Sequence, residues 1–290
     1  MSPEELEGQL ARLLSELDGH LNPLVSLRKS LGRHSRPGGL AGRRSLEEAA
    51  RLLEGAALPG PIADAAARLA ADLVASLDER ARTIRGEFLE RFLALFVERG
   101  VTPRLLAEAG PEYRVSPFTV TIDFSAESAQ LLFARLPFGK PLALDATRVV
   151  DAWRSGKEAL ESRALDPDRF SGALVSAYRA LLARRGRSPG DRVELSEVYP
   201  EVAFALQPQK LLDEADRRHF VSYGRVEFVR DLLRLRKERG LKVGEHRVDL
   251  GVAVAGAATQ RRRAFWLEDE SGTGMFYSSF RLVPQATLEG

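Results

Sequence analysis

Apolar residues along this chain follow two different periods, and the change from one to the other divides it into three parts. In the first hundred residues they recur every three or four positions. Ser2, Pro3, Glu4 and Glu5 form a helix start: a capping serine, a proline at the first helical position, and carboxylates at the positive helix end. Leu6, Leu10, Leu13, Leu14 and Leu17 then line one face and predict an amphipathic helix that needs a partner surface. Helix signals resume at Ser45, with Glu47 and Glu48 in the first turn. From Pro61 a longer pattern predicts a helix over 61–99, stopped by Gly100. Its apolar positions, from Ile62 through Leu69, Leu77 and Ile84 to Leu95, advance by about 3.7 residues a step, nearer a straight helix than a left-handed coiled coil. In its last turns Phe88, Phe92 and Phe96 widen the stripe. These rings read either as part of the protein's own core or as a docking surface for a partner subunit.

After Pro103 the period shortens. Phe118 to Phe124 alternate apolar and polar with β-branched residues, predicting a strand. Ser125 reads as the cap of a short helix through Leu136, and Pro137–Pro141 as a turn. Asp145 reads as the cap of a further helix bearing Val149, Val150, Trp153 and Leu160, interrupted at Gly156. Asp166-Pro167 reads as a joint.

Beyond the joint, helical patterns cover about 168–186, 197–206, a stretch after Pro208, and Tyr223 to Arg239. Three strand-like runs follow at 241–254, 261–268 and 274–283, the last two joined by a glycine-rich turn at 271–274. Helices followed by a β-hairpin resemble the winged-helix arrangement, which implies one helix in the major groove and a hairpin on the DNA backbone. The predicted fold class is α+β, predominantly α. It comprises an N-terminal helical region (1–100), a small α+β section (101–166) and a winged-helix-like domain with a β-hairpin (167–290).

Composition narrows the chemistry. The 290 residues include no Cys, one Asn, two Met and 43 basic residues, six of them Lys. Without thiolates there is no disulfide framework, Cys-ligated metal site or cysteine nucleophile. Few thermolabile residues give the chain a thermophile-like composition. The acidic N-terminus lacks the features of a signal peptide, and no long apolar run predicts a membrane span, so a cytoplasmic protein is expected. His20, His34, His219 and His246 are isolated, and neither a nucleophile elbow nor a phosphate loop occurs. No cofactor, metal or catalytic residue is therefore expected, with one constellation set aside. Asp123, Glu127 and Lys140 would be the carboxylates and lysine of a divalent-metal-dependent nuclease, although their spacing does not fit such a core. The run at 264–271 reads as an acidic hairpin tip.

The net charge of +2 is unevenly placed, with an excess of about four positive charges after residue 166. Candidate phosphate contacts are Arg28, Lys29, Arg33, Arg36, Arg43 and Arg44 in a glycine-rich loop without acidic residues. Further candidates are Arg184, Arg185 and Arg187 at a helix end, Arg217 and Arg218 at a turn, and Arg261, Arg262 and Arg263 at the base of the wing. On the helix from Tyr223, Arg230, Arg234 and Lys237 alternate with Glu227, Asp231 and Glu238. That face reads as solvent-exposed and salt-bridged, with Asp231–Arg234 and Arg234–Glu238 pairs, and not as a recognition helix. The sequence thus points to a non-catalytic DNA-binding or accessory subunit of a nucleic-acid-handling complex, with DNA and other protein subunits as partners. The alternative is a purely protein-binding scaffold or adaptor subunit.

Overall fold

The computed structural model describes residues 60–108, 110–162, 165–254, 263–269 and 273–284, with three isolated positions before residue 60. It mixes helices and sheets. Two compact units are formed: the first from Met1–Thr102, Ile122–Ala129 and Pro141–Val150, the second from Pro103–Thr121, Gln130–Lys140 and Asp151–Gly290.

The first unit is organised by helix α1, Gly60–Val97. Its final turns carry the aromatic core: Phe88 stacks on Phe92 at 5.8 Å, Phe92 meets Phe96 edge-on at 5.0 Å, and Phe124 packs edge-on against Phe88. Phe92 and Phe96 have no exposed surface and Phe88 very little, whereas Val97 is well exposed. Of the two readings of these rings, core or docking surface, their burial fits the first.

Strands β1 (Arg104–Ala107), β2 (Glu112–Val115), β3 (Phe118–Asp123), β4 (Ser128–Phe133) and β5 (Leu136–Ala143) follow, forming a five-stranded sheet in sequence order. Residues 125–136, expected as a helix, are instead a turn and a strand, and Pro137–Pro141 lies within β5. The β4 segment buries every second residue, Ala129, Leu131 and Phe133. Strand pairing wins over local propensity because this alternation puts an entire apolar set on one face. Asp123 closes the preceding turn, its Oδ1 accepting from the Ser125 and Ala126 amides and the Ser125 hydroxyl.

Helix α2, Ala146–Ser162, begins at Asp145, which accepts the Arg148 amide. It runs unbroken through Gly156. That glycine is a packing position, since a Cβ there would lie 2.9 Å from Phe138 and 3.0 Å from Phe118. The Trp153 indole donates to the Val115 and Ser116 carbonyls.

The rest of the second unit begins with α3, Pro167–Arg185, capped by Asp166 and ended by Gly186 in the left-handed conformation. Then come β6 (Val193–Glu194), α4 (Leu195–Ala205), α5 (Gln209–Glu214), a 3₁₀ turn (Arg217–His219), and α6 (Arg225–Arg239). Strands β7 (Lys242–Val243), β8 (His246–Val252), β9 (Phe265–Glu268) and β10 (Gly274–Pro284) complete it. The order in this sheet is β6-β10-β8-β7, with β9 also paired to β10. Phe170, Tyr199 and Phe265 surround Phe228 at 5.1–6.0 Å, making an aromatic core shared by α3, α4, α6 and β9.

One face of α6 departs from the sequence reading. Arg230 and Asp231, placed on a solvent face, are 8% and 2% exposed. Asp231 takes a forked pair of hydrogen bonds from Arg230, at 2.8 and 2.9 Å, and another from the Tyr223 hydroxyl. The Arg230 guanidinium also reaches the Leu160 carbonyl, and Arg234 the Leu165 carbonyl. The chain end of α2 and the following segment thus cover this face. Arg234–Glu238 is present at 2.6 Å, but Asp231 pairs with Arg230 in place of Arg234. Burial also reverses the reading of Glu268. It belongs to β9, and its mostly buried carboxylate pairs with Arg114 of β2.

Candidate nucleic-acid interface

Positive charge that is not matched by carboxylates collects on the solvent face of the second sheet. Strand alternation explains why. In β8, Val248 is buried while Arg247, Asp249 and Gly251 occupy the other face; in β10, Phe280 and Leu282 are buried while Ser279, Arg281 and Val283 face outward. Antiparallel register then aligns Arg281 with Asp249, Val283 with Arg247, and Ser279 with both Gly251 and Glu194. Lys242 of β7 stands opposite Arg247. Arg192, just before β6, reaches across to Asp249 at 2.7 Å.

Four cations, Lys242, Arg192, Arg247 and Arg281, therefore share this face with the carboxylates of Asp249 and Glu194. Arg192 and Arg281 both bind a single oxygen, Asp249 Oδ2, at 2.7 and 2.8 Å. Lys242 and Arg247 are exposed and make no ion pair among the described residues. The approach to β6 is a hydrogen-bonded turn. Tyr178, buried on α3, donates to the Asp191 carbonyl at 2.7 Å and accepts the Gly190 amide, while Asp191 accepts the Ser188 amide. Arg187 donates to the Arg192 carbonyl. A sheet face carrying guanidinium and ammonium groups can attract phosphates without distinguishing bases.

The cationic clusters expected from sequence fare differently. Arg184 pairs with Glu201 at 2.9 Å, and Arg185 pairs with Glu197. Arg218 pairs with Asp216, and its guanidinium is thereby held still more firmly protonated, while the Asp216 carboxyl is lowered below the usual carboxylate range by the same contact. Arg217 and Arg263 are exposed and make no ion pair among the described residues. Arg28, Lys29, Arg33, Arg36, Arg43, Arg44, Arg261 and Arg262 lie outside the described residues. The groups missed by the sequence reading, Arg192, Lys242, Arg247 and Arg281, never form a run. The period-2 pattern of 246–252 and 278–283 was the signal that could have joined Arg247 and Arg281, whereas Arg192 and Lys242 come beside them only through tertiary pairing.

The set-aside acidic constellation has another occupation. Asp123 serves its turn as described, Glu127 holds a left-handed position in it, and Lys140 lies in β5. Among the described residues no three His, Asp or Glu side chains are grouped to hold a metal ion, and no helix is long and apolar enough to cross a membrane. No protein-family model matches the chain, and no curated protein or solved structure matches it either.

Proposed function

We propose that this chain is a non-catalytic subunit that contacts nucleic-acid backbone phosphates through a winged-helix-type module in its second unit. The observation that carries this reading is the four-cation sheet face, which retains a positive excess after its carboxylates are counted. The module is supported by the element order α3, β6, α4, α6, β8, β10, in which β10 lies between β6 and β8. Within such a module α6 would not be the groove-reading helix, because Arg230 and Asp231 are buried and Arg234 is held by Glu238 and the Leu165 carbonyl. Contact would rest on the sheet and would be independent of base sequence.

The test is duplex binding by the full chain between about 50 and 200 mM salt, against a variant with Lys242, Arg192, Arg247 and Arg281 changed to Gln. Two to four phosphate contacts give a log–log salt slope of about −2 to −4 for their share of binding. The expected result is a loss of that share in the variant. Absence of binding by the parent chain at about 50 mM salt, or unchanged binding by the variant, would overturn the reading.

A second reading, the protein-binding adaptor, is favoured by one exposed apolar group. Phe204, Phe220 and Val221 are each more than half exposed. The buried Gln207 amide pins this segment through two 2.9 Å hydrogen bonds with the Val221 backbone. Such fixed aromatic surface suits a protein partner. Stoichiometric association that persists without nucleic acid and fails in Phe204→Ser/Phe220→Ser would favour it.

A further inference from the structure

We infer that Arg192 and Arg281 form a two-guanidinium clamp for a single backbone phosphate, and that Asp249 and Gly251 are the residues that position it. The inference rests on the phosphate-binding reading and adds to it a defined subsite within the charged face.

The geometry differs from that of a diffuse patch. Both guanidiniums converge on Asp249 Oδ2, which fixes their separation. Arg192 uses one terminal nitrogen for that carboxylate and sets the other near the Asp249 carbonyl, while Arg281 uses Nε and, among the described residues, makes no hydrogen bond with either terminal nitrogen. Each side chain remains about two-fifths exposed, so these donors can reach a ligand. Gly251 leaves room for the arrangement. A Cβ at that position would lie 2.8 Å from Arg192 Nη1 and collide with the Ser279 hydroxyl. A side chain at 251 would push the Arg192 guanidinium and the Ser279 hydroxyl out of their present places, and that hydroxyl sits beside the guanidinium as a further donor. Planar forks held at fixed spacing suit the oxygens of a phosphate, which a flexible lysine ammonium meets only as a point charge.

A carboxylate inside an anion site gives the proposal a sign test. If the face acts only through summed charge, Asp249→Asn raises the local charge by one and tightens binding, with a salt slope steeper by about 0.9. If Asp249 holds the clamp, the same change releases both arginines and weakens binding. The experiment measures duplex affinity by fluorescence polarisation at about 100 mM salt for the full chain and for Asp249→Asn, Arg192→Lys, Arg281→Lys and Gly251→Ala. The clamp predicts several-fold weaker binding in all four, although the two Lys variants and Gly251→Ala leave the charge unchanged. Circular dichroism and thermal melting establish that each is folded, and the Lys variants, which place no new atoms in the sheet, carry the result if Gly251→Ala does not fold. Arg247→Ala serves as the reference for simple loss of charge. Tighter binding by Asp249→Asn, or parental affinity in both Lys variants alongside weakening in Arg247→Ala, would overturn the clamp while leaving the phosphate reading intact. No binding by the parent chain would overturn both.

Discussion

Removing one partner from the Arg230–Asp231 pair should unfold the second unit far more readily than removing both. In Asp231→Leu the Arg230 guanidinium, 8% exposed, loses the carboxylate that takes two of its hydrogen bonds. The Tyr223 hydroxyl and the Leu165 amide lose their acceptor as well. Stranding a buried charge costs about 3–5 kcal/mol, and Arg230→Met, which strands the carboxylate, should cost a similar amount. The double variant Arg230→Met/Asp231→Leu replaces the pair with apolar volume, so most of the loss should be recovered. Adding Tyr223→Phe should remove the remaining orphan hydroxyl. The coupling between the two positions is then about 2 kcal/mol or more. Urea unfolding followed by tryptophan fluorescence suits the measurement, because Trp153 and Trp266 both belong to the second unit. Single variants costing less than about 1 kcal/mol, or a double variant as unstable as the sum of the singles, would refute the reasoning.

The same cluster makes stability depend on alkaline pH. Burial, and then the charge of Asp231, push the Tyr223 phenol far above its ordinary value. Its contribution is therefore complete below about pH 10, where the unfolded phenol titrates, and is lost as pH rises beyond that. Tyr223→Phe should flatten this alkaline decline in pH-dependent urea unfolding, and an unchanged decline would count against it. Asp168, held below the usual carboxylate range by the hydrogen bond from Arg239, should return towards it in Arg239→Ala when followed by carboxyl NMR. Gly156→Ala should destabilise by about 1–2 kcal/mol in thermal melts despite alanine's better helix propensity, because its methyl group would press on Phe118 and Phe138. Arg184→Ala/Arg185→Ala should leave duplex affinity nearly unchanged, since each of those cations is matched by a carboxylate of its own, Glu201 or Glu197, whereas Arg192 and Arg281 share one; a large loss would place the interface on that helix end instead.

The sequence by itself determined those features that depend on near neighbours. The alternation of 118–123 made a strand, Asp145 capped a helix, and Gly186 and Gly240 ended two others, because caps and periods are read within a few residues of the backbone they satisfy. The 128–133 strand escaped this reading because a short apolar run fits either period, and pairing within a sheet decides between them. Tertiary structure alone decided which charges remain available. A helical wheel puts Arg230 and Asp231 opposite the apolar stripe, but a second segment covers that face and turns a surface pair into a buried one. The same holds for Arg184 and Arg185, whose carboxylates come from α4. These four cations share one sheet face, in excess of its carboxylates, only because strand pairing brings residues 192, 242, 247 and 281 together, and coulombic attraction depends on distance in space, not along the chain.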